Sequence, residues 1–199
     1  MGRGKGETMK YVKLVEDQNK MDQHFHNRTN EHIARVQKYA QKIADYKPEL
    51  AAIVDQASTH DASKFEAPEI EPYKHISWQY EMKRQGGEYN PPEDISTQMN
   101  LATQHHVTSN RHHPEYHQEQ KTDLINREDR DKPPAEMIDG TKMNDIDIAE
   151  MVADWSSMSE ELNSETKDWA DNNVNVRWKF TDEQKALIYE LIDNIEVDR

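Results

Sequence analysis

The chain contains no cysteine in 199 residues, which excludes both a disulfide framework and a thiolate metal site. It is short of apolar residues, at 34%, and its mean hydropathy is -1.15, so any core is lean and much of the surface polar. No apolar run approaches the roughly 20 residues that a membrane span requires, and the charged start Met-Gly-Arg-Gly-Lys-Gly-Glu lacks an apolar signal region. Nor does Gly2 open a myristoylation signal, since Gly6 stands where Ser or Thr is needed. A soluble cytoplasmic protein with no membrane partner is expected. Basic residues are also in deficit, 25 Lys and Arg against 39 Asp and Glu, for a net charge of -14. That balance argues against capture of duplex nucleic acid, which depends on cations at the phosphates. A nucleotide substrate remains compatible, because bound divalent ions reverse the local field.

What is present is helical periodicity, without internal repeats or low-complexity tracts, in a length that suits one domain. Residues 1–27 read as a loose arm or a short strand around Tyr11-Val12-Lys13-Leu14-Val15. A helix is predicted from Thr29, a good N-cap, with Ile33, Val36, Ala40 and Ile43 on one stripe through Tyr46. Lys47-Pro48 ends it, and Pro48 suits the first turn of a second helix whose buried face is Leu50, Ile53, Val54 and Ala57. A third helix is predicted over 68–84 with Tyr73, Ile76 and Tyr80 inward, then a loop marked by Gly86-Gly87 and Pro91-Pro92. The fourth runs over 93–109, with Ile95, Met99, Ala102 and His106 on its stripe. Residues 117–144 read as a long polar loop or lid. A helix resumes over 144–162 with Ile148, Val152 and Trp155 on one face. Residues 163–180 read as a packed loop with three aromatics, and Thr181 with Gln184 forms a capping box that opens a last helix. The expected architecture is all-α: a single helical bundle of five to seven helices over 28–199, with its metal core over 29–160 and a C-terminal loop and helix over 163–199.

Onto this pattern falls an unusual set of polar residues. Continuing the buried face of the second helix by three and four residues from Ala57 gives His60 and Asp61, so both leave the helix on the core side. His32 lies beside Ile33 and Val36, His106 continues an apolar stripe, and Asp154 has Met151 and Met158 as helical neighbours. Imidazole and carboxylate from adjacent and distant positions are ligands for a divalent ion. Taken singly, each has a plainer reading: His32 as a satisfied helix histidine, Asp61 as a helix-ending cap, Asp154 as a surface carboxylate. Jointly they point to a metal, since carboxylates on buried faces are costly unless paired or ligated. His112 and His113 follow the fourth helix, either as a surface turn or as ligands that complete a second ion site with His106. His105 lies off the stripe and reads as an outer or surface group, while His24, His26, His75 and His117 have no spacing partner. Lys64 lies one turn beyond His60, Arg35 one turn from His32, and Arg111 beside the histidine pair. All three are candidates for holding an anionic substrate, or else for salt bridging in an acidic protein. Glu150, one turn before Asp154 on the same face, is a candidate partner of a ligand or a general base.

The order of these residues, His32, His60-Asp61 with Lys64, His106, His112-His113 and Asp154, resembles the HD-domain superfamily of metal-dependent phosphohydrolases. The segments HDASKF, HHVTSNRHHPEY and EMVADW also resemble an HD-like family of phages and bacteria. The resemblance spans about residues 29–155. It implies an all-helical fold with ions at its centre and hydrolysis of a nucleotide or other small phosphoester by metal-activated water. His32, His60, Asp61 and Asp154 map onto the primary ligands, and His106, His112 and His113 match the extra ligands of two-ion members. Asp61 and Lys64 are the residues expected to act in the chemistry. The extra histidines lie closer together than in the cyclic-dinucleotide phosphodiesterase branch, and no Gly-Tyr-Pro follows, which separates this chain from that substrate. One or two ions of Mn, Fe, Co, Ni, Zn or Mg suit the ligand set, and an oligomer is compatible with it. Two other readings share the scaffold: a diiron oxygenase, and a non-catalytic, metal-stabilised binding protein.

Overall fold

The computed structural model describes residues 4–119, 134 and 136–196, with side chains from Asp17 onward. Its first element is a helix far longer than the spacing predicted: α1 spans Gly4–Tyr46. Residues 4–27, expected as most of a loose arm, are therefore part of this helix, and Thr29 is not a cap but a buried residue inside it. The stripe of Val36, Ala40 and Ile43 continues toward the N-terminus through Phe25 and Met21, both buried. Polar neighbours such as Asp22, His24 and His26 mask that continuity in the sequence. Lys47 leaves helical geometry because the ring of Pro48 disfavours it there, and a 3-10 turn follows over Pro48–Leu50 before α2, Ile53–Ala57.

Past a 3-10 turn at Ala62–Phe65 come α3, Ile70–Arg84, and α4, Glu93–Ser109. The buried face of α3 follows Pro72, Ile76 and Ser77. Tyr80, expected inward, is 52% exposed, because the contact stripe is rotated away from the 73, 76, 80 line. Residues 120–133 and 135, which hold most of the expected lid, lie outside the described residues. Where the description resumes, Ile138–Asp139 forms β1, not loop, and pairs in parallel with β2, Trp178–Lys179. Two residues are too few to show an alternating pattern, so the pairing is a tertiary event. Gly140 permits it: a Cβ there would lie 2.9 Å from Cε1 of Phe180 and 3.2 Å from Cβ of Pro114.

The remaining helices are α5, Asp145–Leu162, α6, Thr166–Asn173, and α7, Asp182–Ile195. Asn144 caps α5 by accepting from the backbone N–H groups of Ile146 and Asp147. The capping box of Thr181 and Gln184 opens α7 as expected. The stretch 163–180 is a helix and a strand instead of a packed loop; its polar composition hid α6, which buries only Thr166, Ala170 and Asn173.

The fold is thus all-α, with seven α-helices among the described residues. Its main core joins Val36, Tyr39, Ala40 and Ile43 of α1 to Ile148, Met151 and Val152 of α5 and to Ile188, Leu191, Ile192 and Ile195 of α7. α2 closes one end with Ile53 and Ala57. α1 packs against α2, α3, α5 and α7, and α3 packs on α4. Among the described residues, no helix is long and apolar enough to cross a membrane.

Ile43 has no exposed surface, so Ile43→Ala should lower unfolding free energy by about 2–5 kcal/mol in urea titration. Thr181→Ala removes only a cap and should cost about 1 kcal/mol. Equal, negligible effects of both would mean that the α1–α5–α7 core is misassigned.

Candidate metal centre

The site is assembled around one turn of backbone. Asp61 adopts the left-handed conformation, with φ 58° and ψ 14°, which Asp tolerates better than most residues. This single residue breaks the helical path between α2 and the 3-10 turn at Ala62–Phe65, and leaves His60 and Asp61 both buried. α1 brings His32 to them, α5 brings Asp154, α4 brings His106, and the chain after α4 brings His112 and His113.

The two oxygens of Asp61 face two groups of imidazoles. Oδ2 lies 3.4 Å from Nε2 of His32 and 3.7 Å from Nε2 of His60. Oδ1 lies 3.2 Å from Nε2 of His106 and 3.8 Å from Nε2 of His112. Asp154 joins the first group, with Oδ1 at 3.2 Å from His32 Nε2 and 3.9 Å from His60 Nε2. His113 joins the second, its ring centroid 4.2 Å from that of His112 and 5.0 Å from that of His106. Three overlapping trios, His32 with His60 and Asp154, His60 with Asp61 and His112, and His106 with His112 and His113, each place their ligand atoms within 4.8 Å of one another. The structure therefore brings together all seven residues singled out in the sequence as ligands.

Outer partners orient the rings. His60 Nδ1 donates to Glu150 Oε1 at 2.8 Å and His106 Nδ1 to Glu69 Oε2 at 2.9 Å. Nδ1 of His32 lies 3.1 Å from Oγ of Ser157. A carboxylate can only accept, so Glu150 and Glu69 fix the proton of their histidines on Nδ1 and leave the Nε2 lone pairs aimed inward. These lone pairs then confront carboxylate oxygens, acceptor against acceptor. Oδ1 of Asp61 is buried and makes no hydrogen bond. Such a cage is balanced only by a cation or by added protons, and the donor set of imidazoles and hard carboxylates fits a divalent metal ion.

The titration of the site points the same way. Burial would raise the pKa of Asp61, but Lys64, His60 and His106 outweigh it and hold the carboxyl well below its usual range. Asp154 is treated alike: burial opposes ionisation, and the His32 hydrogen bond and charge override it. Burial, reinforced by the charge of His60, drives His112 down to about 3, so its ring is neutral. His60 is the exception. Burial would lower its pKa, yet Asp61, Glu150 and Asp154 together raise it, so a proton on His60 stands where a cation would otherwise balance the carboxylates.

The three cations expected near an anionic substrate divide. Lys64 Nζ donates to Asp61 Oδ2, lies 5.3 Å from the Tyr73 ring centroid and stays 18% exposed. Arg35 is engaged by Glu161 at 2.6 Å, together with Arg28 at 2.8 Å. Arg111 makes a two-pronged pair with Asp147. His105 proves to be an outer group, donating to Glu69 Oε1 at 2.7 Å. His75 pairs with Tyr89, His24 meets the edge of Trp78, and His117 donates to the carbonyl of Arg111. Neither Glu69 nor Ser157 carries a signal of this contact in the sequence. No spacing rule ties Glu69, which just precedes α3, to a histidine on α4, and only the packing of α3 on α4 joins them.

Calorimetric titration with a divalent ion should show affinity rising from about pH 6 to pH 8, with protons released on binding. The sign follows from His60: its raised pKa keeps a proton on the ring at low pH, which the ion must displace. Glu150→Ala or Glu69→Ala should weaken binding about 10–100-fold. Binding that ignores pH would remove His60 from the ligand set.

No curated protein and no solved structure matches the chain. A family model covering residues 21–194 does match, and that span includes every residue of the cluster and all seven helices at least in part. By that match the chain belongs to DUF5662, a family of unknown function.

Proposed function

We propose that the chain is a metal-dependent phosphohydrolase that acts on a nucleotide or another small phosphoester, with two divalent ions held on either side of Asp61. The observation that carries this reading is one buried carboxylate whose two oxygens each face a separate pair of imidazole Nε2 atoms, at 3.2 to 3.8 Å. His32, His60 and Asp154 would hold one ion, and His106, His112 and His113 the other, with Asp61 shared. Bound divalent ions supply Lewis-acid polarisation of a phosphoryl oxygen and lower the pKa of bound water.

The chain's own residues support the rest. Asp154 is the least buried of the ligands, with 16% of its side chain exposed, and Lys64 is similarly accessible; together they mark the open edge. Lys64 neutralises Asp61 in the pairing described above and is the cation nearest to where charge grows on a phosphoryl group. Glu150 and Glu69 hold the rings in place and keep the proton of the neutral ring on Nδ1, so that Nε2 is the atom offered to an ion. A net charge of -14 would repel an anionic substrate, and ions at the centre reverse that field locally. Imidazole and carboxylate accept Mn, Fe, Co, Ni, Zn or Mg, so the ion is set by supply and geometry.

The purified protein, loaded in turn with each of these ions and offered a panel of nucleotides and small phosphoesters, should release phosphate or pyrophosphate. His60→Ala and Asp61→Asn should reduce release to the buffer background, and unchanged turnover in both variants would end the proposal. Bound iron with oxygen consumption and no phosphate release would replace it with an oxygenase. Retained metal without turnover, alongside a co-purifying macromolecule, would replace it with a binding role.

A further inference from the structure

Arg111 immediately precedes the two histidines of the second group, and the structure ties it down at both ends. Its guanidinium donates to Asp147 through Nε, 3.0 Å from Oδ1, and through Nη2, 3.2 Å from Oδ2. Its carbonyl accepts from Nε2 of His117 at 2.9 Å. Asp147 has no exposed side-chain surface, whereas Arg111 is 51% exposed. The carboxylate sits in the first turn of α5, where the helix N-terminus favours a negative charge.

From Asp147 the contacts run inward. Nε2 of Gln56, on α2, donates to Asp147 Oδ1 at 3.0 Å and to Glu150 Oε2 at 2.7 Å. The other oxygen of Glu150 touches both histidine groups, 2.8 Å from Nδ1 of His60 and 3.6 Å from Nδ1 of His112. A continuous polar chain thus links a surface guanidinium, through α5 and α2, to one imidazole of each group.

We propose that the Arg111–Asp147 pair is a clasp that positions the His112–His113 turn, and that Gln56 is the link that holds Glu150 against both groups. This rests on the two-ion reading above and assigns Arg111 a positioning role in place of contact with substrate. The clasp acts on the second subsite alone, because only His112 and His113 ride on the segment that it fixes. Gln56 acts on both, because Glu150 does.

The test is titration of the full-length, metal-free protein with Co(II), following the visible spectrum of each bound ion together with its affinity, in wild type, Arg111→Ala and Gln56→Leu. Arg111→Ala should weaken the ion held by the second group by about tenfold or more and leave the other ion's spectrum and affinity unchanged. Gln56→Leu should weaken both. Arg111→Ala leaves Asp147 short of a partner, so the double variant Arg111→Ala/Asp147→Asn, which leaves no unpaired buried charge, should show the same selective loss. Thermal unfolding without metal checks that each variant is folded. Two ions bound as in wild type by the folded Arg111→Ala or double variant would overturn the inference while leaving the two-ion reading intact. An equal loss of both ions in Arg111→Ala would overturn it as well. A wild-type protein that binds fewer than two ions would overturn both.

Discussion

A carboxylate buried among imidazoles is the constraint on which the site depends. Asp61 has almost no solvent contact, and an ionised carboxylate in such a place is tolerated only with compensating charge. Lys64 supplies part of that compensation from one helical turn away, and four imidazoles surround the rest. The left-handed backbone at Asp61 is what makes the arrangement possible. With helical geometry there, His60 and Asp61 would project in different directions along a continued α2, and the two oxygens of Asp61 would not face two separate groups.

Around that residue the packing works as a set of fixed distances. α1 and α5 share the main core through Val36, Ala40, Ile43, Ile148 and Val152, and the same two helices carry His32 and Asp154. The apolar contacts that stabilise the bundle therefore also set the spacing of the first group. The second group is held differently. His106 stands on α4, braced by Glu69 at the start of α3, while His112 and His113 lie on a short irregular segment fixed by hydrogen bonds and by the Arg111–Asp147 pair. The first group thus leans on the main apolar core as well as on Glu150 and Ser157, and the second more on polar contacts.

Electrostatics reconciles an acidic protein with the anionic substrate proposed for it. Asp61, Glu69, Glu150 and Asp154 all have pKa values held below the ordinary carboxylate range, and each has an imidazole among the causes. Negative charge is concentrated where a cation would sit, and the outer carboxylates turn the histidine lone pairs toward the same place. Overall negative charge and a centre suited to cations are two aspects of one design.

Composition, periodicity and capping residues determined the helical class, the α4 boundaries, the extent of α5, the capped start of α7, and the inward direction of His60, Asp61 and His106. Those features are local, governed by 3.6-residue spacing and by side chains bonding to neighbouring backbone. The long start of α1, α6, the two short strands and the outward turn of Tyr80 were not legible. They depend on partners distant in the chain or on faces too polar to show a period. The candidate ligands were recognisable as a set, but not their division between the two oxygens of Asp61, nor the contacts of Glu69, Ser157, Gln56 and Asp147. Those follow from which helices pack together, because a hydrogen bond between segments tens of residues apart leaves no spacing in either one.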